Sequence, residues 1–75
     1  MNVTYRVDKD ILYIAIEGRI DATNASETEE KILKIKAENP EKHTVIDADK
    51  LEYISSAGLR VILRLRKEEP KLAII

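Results

Sequence analysis

Ser55-Ser56-Ala57-Gly58-Leu59-Arg60-Val61-Ile62-Leu63-Arg64-Leu65-Arg66-Lys67-Glu68 is the stretch on which the fold turns. A serine before an apolar-periodic run is a helix start, because its hydroxyl satisfies free backbone N–H groups. The helix is expected over roughly Ala57 to Glu68 and stops before Pro70, since the residue preceding a proline is biased out of helical geometry. Working outward, Thr44-Val45-Ile46 is a short buried strand that ends near Asp47-Ala48-Asp49. Leu51 to Ile54 reads as a loop with apolar anchors, and Leu72 to Ile75 begins another apolar strand. Strand, helix and strand in this order form a parallel crossover unit, for which the right-handed connection is the rule.

Further out, Val3, Tyr5 and Val7 alternate with Thr4, Arg6 and Asp8, the pattern of a half-buried strand. Asp8-Lys9-Asp10 is a polar turn, and Ile11 to Ile16 is a nearly continuous apolar run bounded by Gly18. Residues 2–17 are therefore expected as a hairpin, with Gly18 marking a bulge or the strand's end. Asn24 with Glu27, and Ser26 with Glu29, have capping-box spacing. Ala25, Thr28, Ile32 and Ile35 recur at helical spacing, acids come early and lysines late, and Asn39-Pro40 ends the helix. In the second helix Leu59, Val61, Ile62, Leu63 and Leu65 span an arc of roughly 200° at 100° per residue. A sheet covers about half that width, so a further helix or a partner chain is expected over the remainder.

Composition removes several functions. With 75 residues there is room for one small domain. There is no cysteine, so disulfides and thiolate metal sites are excluded, and the single histidine, His43, reads as a solvated residue before a strand. The net charge of −1 lacks the positive excess that nucleic-acid binding requires. No apolar stretch approaches the roughly 20 residues that span a bilayer, and Met1-Asn2-Val3-Thr4 has no signal-peptide character, so a cytoplasmic location is expected.

Catalysis finds little support. Ser56 with Gly58 is not a nucleophile elbow, because Ile54 stands where that motif needs glycine. Two glycines cannot supply a dinucleotide- or phosphate-binding loop. Neither an enzyme nor a cofactor is expected. The start of the second helix is a different matter. Unpaired N–H groups and partial positive charge there accept phosphate readily, and Ala57 and Gly58 leave that end uncrowded. Ser56, Arg60 and Lys67 project from nearly one side, with Arg64 adjacent, so a phosphate on Ser56 can pair with Arg60. The plainer reading of these residues is an N-cap followed by a solubilising basic face.

Leu51-Glu52-Tyr53-Ile54-Ser55-Ser56-Ala57-Gly58-Leu59-Arg60 resembles the signature of STAS domains of the anti-sigma factor antagonist type, and Gly18-Arg19-Ile20-Asp21-Ala22-Thr23-Asn24-Ala25 resembles that family's second recurring segment. The resemblance implies an α/β fold: a (β-α)n right-handed superhelix with an N-terminal β-hairpin, in the order β-β-α-β-α-β. It implies a single domain over residues 1–75, incomplete at its C-terminus, without the usual final helix, strand and helix. An open edge in such a chain allows self-association. It further implies a phosphorylation-switched binding module that captures an anti-sigma factor, itself a serine kinase, and so frees a sigma factor; a serine phosphatase resets it. The acceptor maps to Ser56, with Ser55 as the alternative, because Ser55 stands where many members carry aspartate. Asp21, Thr23, Ser55, Ser56, Gly58 and Arg60 map to the partner-binding surface. The competing functions are a STAS scaffold module of another signalling or transport system, and a small-ligand or nucleotide-binding domain using Asp21, Asp47 and Ser56 at the strand C-termini.

Overall fold

The computed structural model describes all residues, Met1–Ile75. Strand β1 (Asn2–Asp8) pairs antiparallel with β2 (Ile11–Ile20), from Asn2↔Glu17 to Asp8↔Ile11. That register leaves Lys9-Asp10 as a two-residue turn, and Lys9 adopts φ 55 to close it. Leu12, Ile14 and Ile16 of β2 are fully buried, while Ile11, Tyr13 and Ala15 are half-buried, so the strand's two faces meet different surroundings. Helix α1 (Ala25–Glu38) returns the chain to β3 (His43–Asp47), which lies parallel to β2 from Ile11↔His43 to Ala15↔Asp47. Helix α2 (Ser56–Glu68) leads to β5 (Ala73–Ile74), parallel to β3. The sheet order is β1-β2-β3-β5, and α1 and α2 pack beside each other over the face that presents Leu12, Ile14 and Ile16.

Residues 51–54 correct the expectation of a loop. Leu51–Ile54 form strand β4, parallel to the far end of β2, with Gly18↔Leu51, Arg19↔Tyr53 and Ile20↔Ile54 paired across a bulge at Gly18/Arg19. Gly18 carries φ 92, a conformation costly for any residue with a Cβ, and its N–H donates to Lys50 O at 3.1 Å. The element order is thus β-β-α-β-β-α-β, the expected α/β architecture with one strand added. His43 is exposed and opens β3, and the last strand is limited to Ala73–Ile74.

The capping box is also corrected. Asn24 is the N-cap of α1, but its side chain gives no bond to the helix. Its Oδ1 accepts the Asp21 N–H at 3.0 Å and its Nδ2 donates to Arg19 O at 3.0 Å, so it pins the preceding loop instead. Ser26 already lies inside the helix, and the Glu29 carboxylate is taken by Arg64 of α2, at 2.8 Å for both Nε–Oε2 and Nη2–Oε1.

Ala25, Thr28 and Ile32 of α1 and Gly58, Val61 and Leu65 of α2 are the buried helical positions, as the periodicity predicts. Ten apolar side chains form the core: Leu12, Ile14, Ile16 and Ile20 of β2, Ala25 and Ile32, Ile46, Val61 and Leu65, and Leu72. The wide apolar arc of α2 is only partly used. Leu59 is 50% exposed and Leu63 67% exposed. Neither helix is long and apolar enough to cross a membrane.

Candidate partner-binding site at the start of the second helix

The site is assembled by the pairing of β2 with β4. Ile20 and Ile54 are paired, and the Ser55 N–H donates to Ile20 O at 2.8 Å. Asp21 and Ser55 are therefore the next residues on two adjacent strands, whose spacing is about 4.8 Å. The segment Asp21–Asn24 and the beginning of α2 meet at one rim, at the C-terminal ends of the parallel strands. Asp47 lies away from that rim, contrary to the expectation that grouped it with Asp21 and Ser56: it ends β3 opposite Ala15, six residues before Asp21 along β2, and its Oδ1 accepts the Asp49 N–H at 3.0 Å.

The two serines have different duties. Ser55 is the N-cap of α2, extended at φ −80 and ψ 174, and its Oγ accepts the Gly58 N–H at 3.3 Å. Ser56, the first helical residue, is exposed and makes no side-chain hydrogen bond within the chain. No acidic residue occupies the first turn of α2, whereas Arg66 and Lys67 lie in its last. The positive end of the helix dipole at Ser56 is thus uncompensated by any acid of its own turn.

Asp21 is held in a tight turn of its own. Its Oδ1 accepts the Thr23 hydroxyl at 2.6 Å and the Thr23 N–H at 2.9 Å. Those two bonds, the hydroxyl's first, hold the carboxyl below its ordinary value against partial desolvation; the backbone at Asn24 and the charge of Arg19 add to the effect. The carboxylate is therefore ionised and fixed in direction at the rim.

Gly58 differs from the surface contact expected of it. It is buried, and a Cβ there would lie 2.7 Å from Ile54 Cγ1 and 2.8 Å from Ile20 Cγ2. Its role is to let α2 approach the β2–β4 pair closely enough to hold Ser55 and Ser56 at the rim. Arg60 is exposed and in no ion pair, whereas Arg64 is engaged by Glu29 and so is unavailable to a group at Ser56. Sequence reasoning missed Arg19 and Tyr53. The Arg19 guanidinium lies over the Tyr53 ring, 4.4 Å from its centroid. Their partnership becomes visible only once residues 51–54 are recognised as a strand in register with β2.

The sequence profile of the STAS domain family matches residues 2–74. Over 68 residues, 91% of the chain, the protein is 34% identical to BtrV of Bordetella bronchiseptica, described as an anti-sigma factor antagonist, and covers 58% of it. A crystal structure of an anti-sigma factor antagonist from Mycobacterium paratuberculosis shares the fold with a TM-score of 0.81 at 20% identity, over 97% of this chain and 62% of that one. The anti-sigma factor antagonist SpoIIAA in its unphosphorylated form gives 0.65 at 18% identity, over 92% and 64%. The chain thus spans less than two thirds of the length of each of these three proteins. All three bear the name of an anti-sigma factor antagonist. Fold and family profile agree, and the chain belongs to the STAS domain family.

Proposed function

We propose that this protein is an anti-sigma factor antagonist switched by phosphorylation of Ser56. In this reading the unmodified rim, with Asp21, Thr23, Ser55, Ser56 and Arg60, captures an anti-sigma factor that is also a serine kinase, which frees a sigma factor in the cytoplasm. The kinase then modifies Ser56, and a serine phosphatase reverses the modification. The observation that carries the proposal is the division of labour between the serines: the hydroxyl of Ser55 caps α2, while that of Ser56 is exposed and uncommitted.

The physical consequence follows from charge. A phosphate adds about −1.5 to −2 charges at neutral pH. At the first residue of α2 it meets free N–H groups and a positive helix end, and Arg60 one turn later is unpaired. The helix tolerates the modification, so release of the partner needs no unfolding. It needs only that a doubly charged group, beside the ionised Asp21, be desolvated against the partner's surface. Each 1.4 kcal/mol lost there lowers affinity about tenfold.

A titration against the anti-sigma factor encoded in the same genome tests the proposal. Wild type binds, and Ser56→Asp binds at least about tenfold more weakly while retaining its circular dichroism spectrum. Equal binding by both proteins removes the switch, and no binding by wild type removes the antagonist role.

A further inference from the structure

Two arginine–tyrosine stacks lie on the sheet face opposite the helices, and they differ in one respect. Along β2 the side chains of Leu12, Ile14, Ile16 and Ile20 enter the core, so Tyr13 and Arg19 stand on the other face. Arg6 stacks on Tyr13 at 4.0 Å and is also 4.0 Å from the Asp8 carboxylate. Arg19 stacks on Tyr53 at 4.4 Å and has no carboxylate within ion-pair distance. Its backbone is fixed as well, because Asn24 Nδ2 donates to Arg19 O at 3.0 Å. Tyr53 is 43% exposed and Arg19 is exposed.

The pair sits just beneath the proposed rim. Arg19 and Tyr53 precede Ile20 and Ile54, the last paired residues before Asp21 and Ser55. Arg19 is close enough to Asp21 to act on its ionisation. A planar guanidinium held flat on a ring presents its N–H edge outward in a set direction, and little rotamer freedom remains to be lost on binding. Tyrosine and arginine of this kind are the residue types that dominate binding energy in interfaces.

We propose that the Arg19–Tyr53 stack is the anchoring contact for the anti-sigma factor, receiving an acidic side chain of that partner at the guanidinium edge. This rests on the antagonist reading of the same rim. The partner covers the rim and the open face together, so Ser56 governs release while Arg19 and Tyr53 supply much of the grip. The acid is specified by charge: a cation with no carboxylate within ion-pair distance gains from one delivered by the partner.

The test is the same titration against the anti-sigma factor from the same genome, using full-length chains carrying Arg19→Gln, Arg19→Lys, Tyr53→Ala and Tyr53→Phe. Arg19→Gln and Tyr53→Ala are each expected to weaken binding about tenfold or more, and together by less than the product of the two, because they remove one shared contact. Tyr53→Phe keeps the ring and binds close to wild type; Arg19→Lys keeps the charge without the planar stack and falls between. The salt dependence of wild-type binding is reduced in Arg19→Gln. Arg19→Gln alters only an exposed side chain, so it reads the contact even if Tyr53→Ala fails to fold. Wild-type affinity in Arg19→Gln, with Ser56→Asp still impaired, overturns this inference alone. Absence of wild-type binding overturns both it and the antagonist reading.

Discussion

At the scale of single residues, the start of α2 is decided by Ser55, Ser56 and Gly58, which neighbour one another in sequence and do different physical work. Ser55 spends its hydroxyl on the Gly58 N–H, Ser56 keeps its own free, and Gly58 brings the helix against Ile20 and Ile54. Gly58→Ala is therefore expected to destabilise the protein by about 1–3 kcal/mol, since the added methyl meets side-chain carbons at 2.7 and 2.8 Å and one of them, on Ile20, is fully buried. Urea unfolding followed by circular dichroism checks this; an unchanged midpoint would mean that α2 can shift outward at no cost. A serine cap was legible in the sequence because capping is local, but which serine supplies it was not: a helix expected from about Ala57 puts Ser56 at the cap, whereas α2 begins at Ser56 and Ser55 caps it. The burial of Gly58 was not, since it depends on two isoleucines from different strands.

At the scale of elements, Glu69 joins three of them and had no signature in the sequence. It is the C-cap of α2, accepts the Thr44 N–H of β3 at 2.9 Å, and holds Lys36 of α1 at 3.0 Å. Partial burial, the largest influence, raises its carboxyl; the Thr44 N–H and the Lys36 ammonium more than offset this and leave it below the ordinary value of 4.5. A carboxyl whose folded value is depressed contributes stability that is complete above its unfolded value and is lost as the pH falls through the folded one. Stability is thus expected to decline below about pH 4.5, with Asp21 and Glu29, also held low, adding to the same acid-side loss. Glu69→Gln should cost on the order of 1 kcal/mol at neutral pH and flatten that decline, measured as urea midpoints between about pH 3 and 7. A wild-type profile that matched the variant's at every pH would contradict the assignment. Strand β4 escaped sequence reading for a related reason: Leu51-Glu52-Tyr53-Ile54 lacks strict alternation, and its pairing depends on the bulge at Gly18.

At the scale of the whole molecule, the hairpin, both helices and the parallel arrangement were readable from periodicity, turn and proline signals and the order of the elements, because the core is one layer of β2 and β3 side chains under two amphipathic helices. Long-range pairings such as Arg64 with Glu29 and Arg19 with Tyr53 were not, since nothing local marks them. A domain this small has little stability to spare. Leu65→Ala, at a fully buried position, is expected to cost about 2–5 kcal/mol and leave the chain largely unfolded. Leu63→Glu, at a position 67% exposed on the same helix, should change stability by less than about 0.5 kcal/mol. Thermal melts of the two variants distinguish these outcomes, and a large loss from Leu63→Glu would show that the apolar flank of α2 is covered in solution. The switch at Ser56 is tested most directly by incubating the protein with the serine kinase of its own genome and ATP, then measuring intact mass and mapping the modified residue. One added phosphate on wild type and on Ser55→Ala, but none on Ser56→Ala, is the predicted result; phosphate on Ser55, or none on any of the three proteins, would contradict the account.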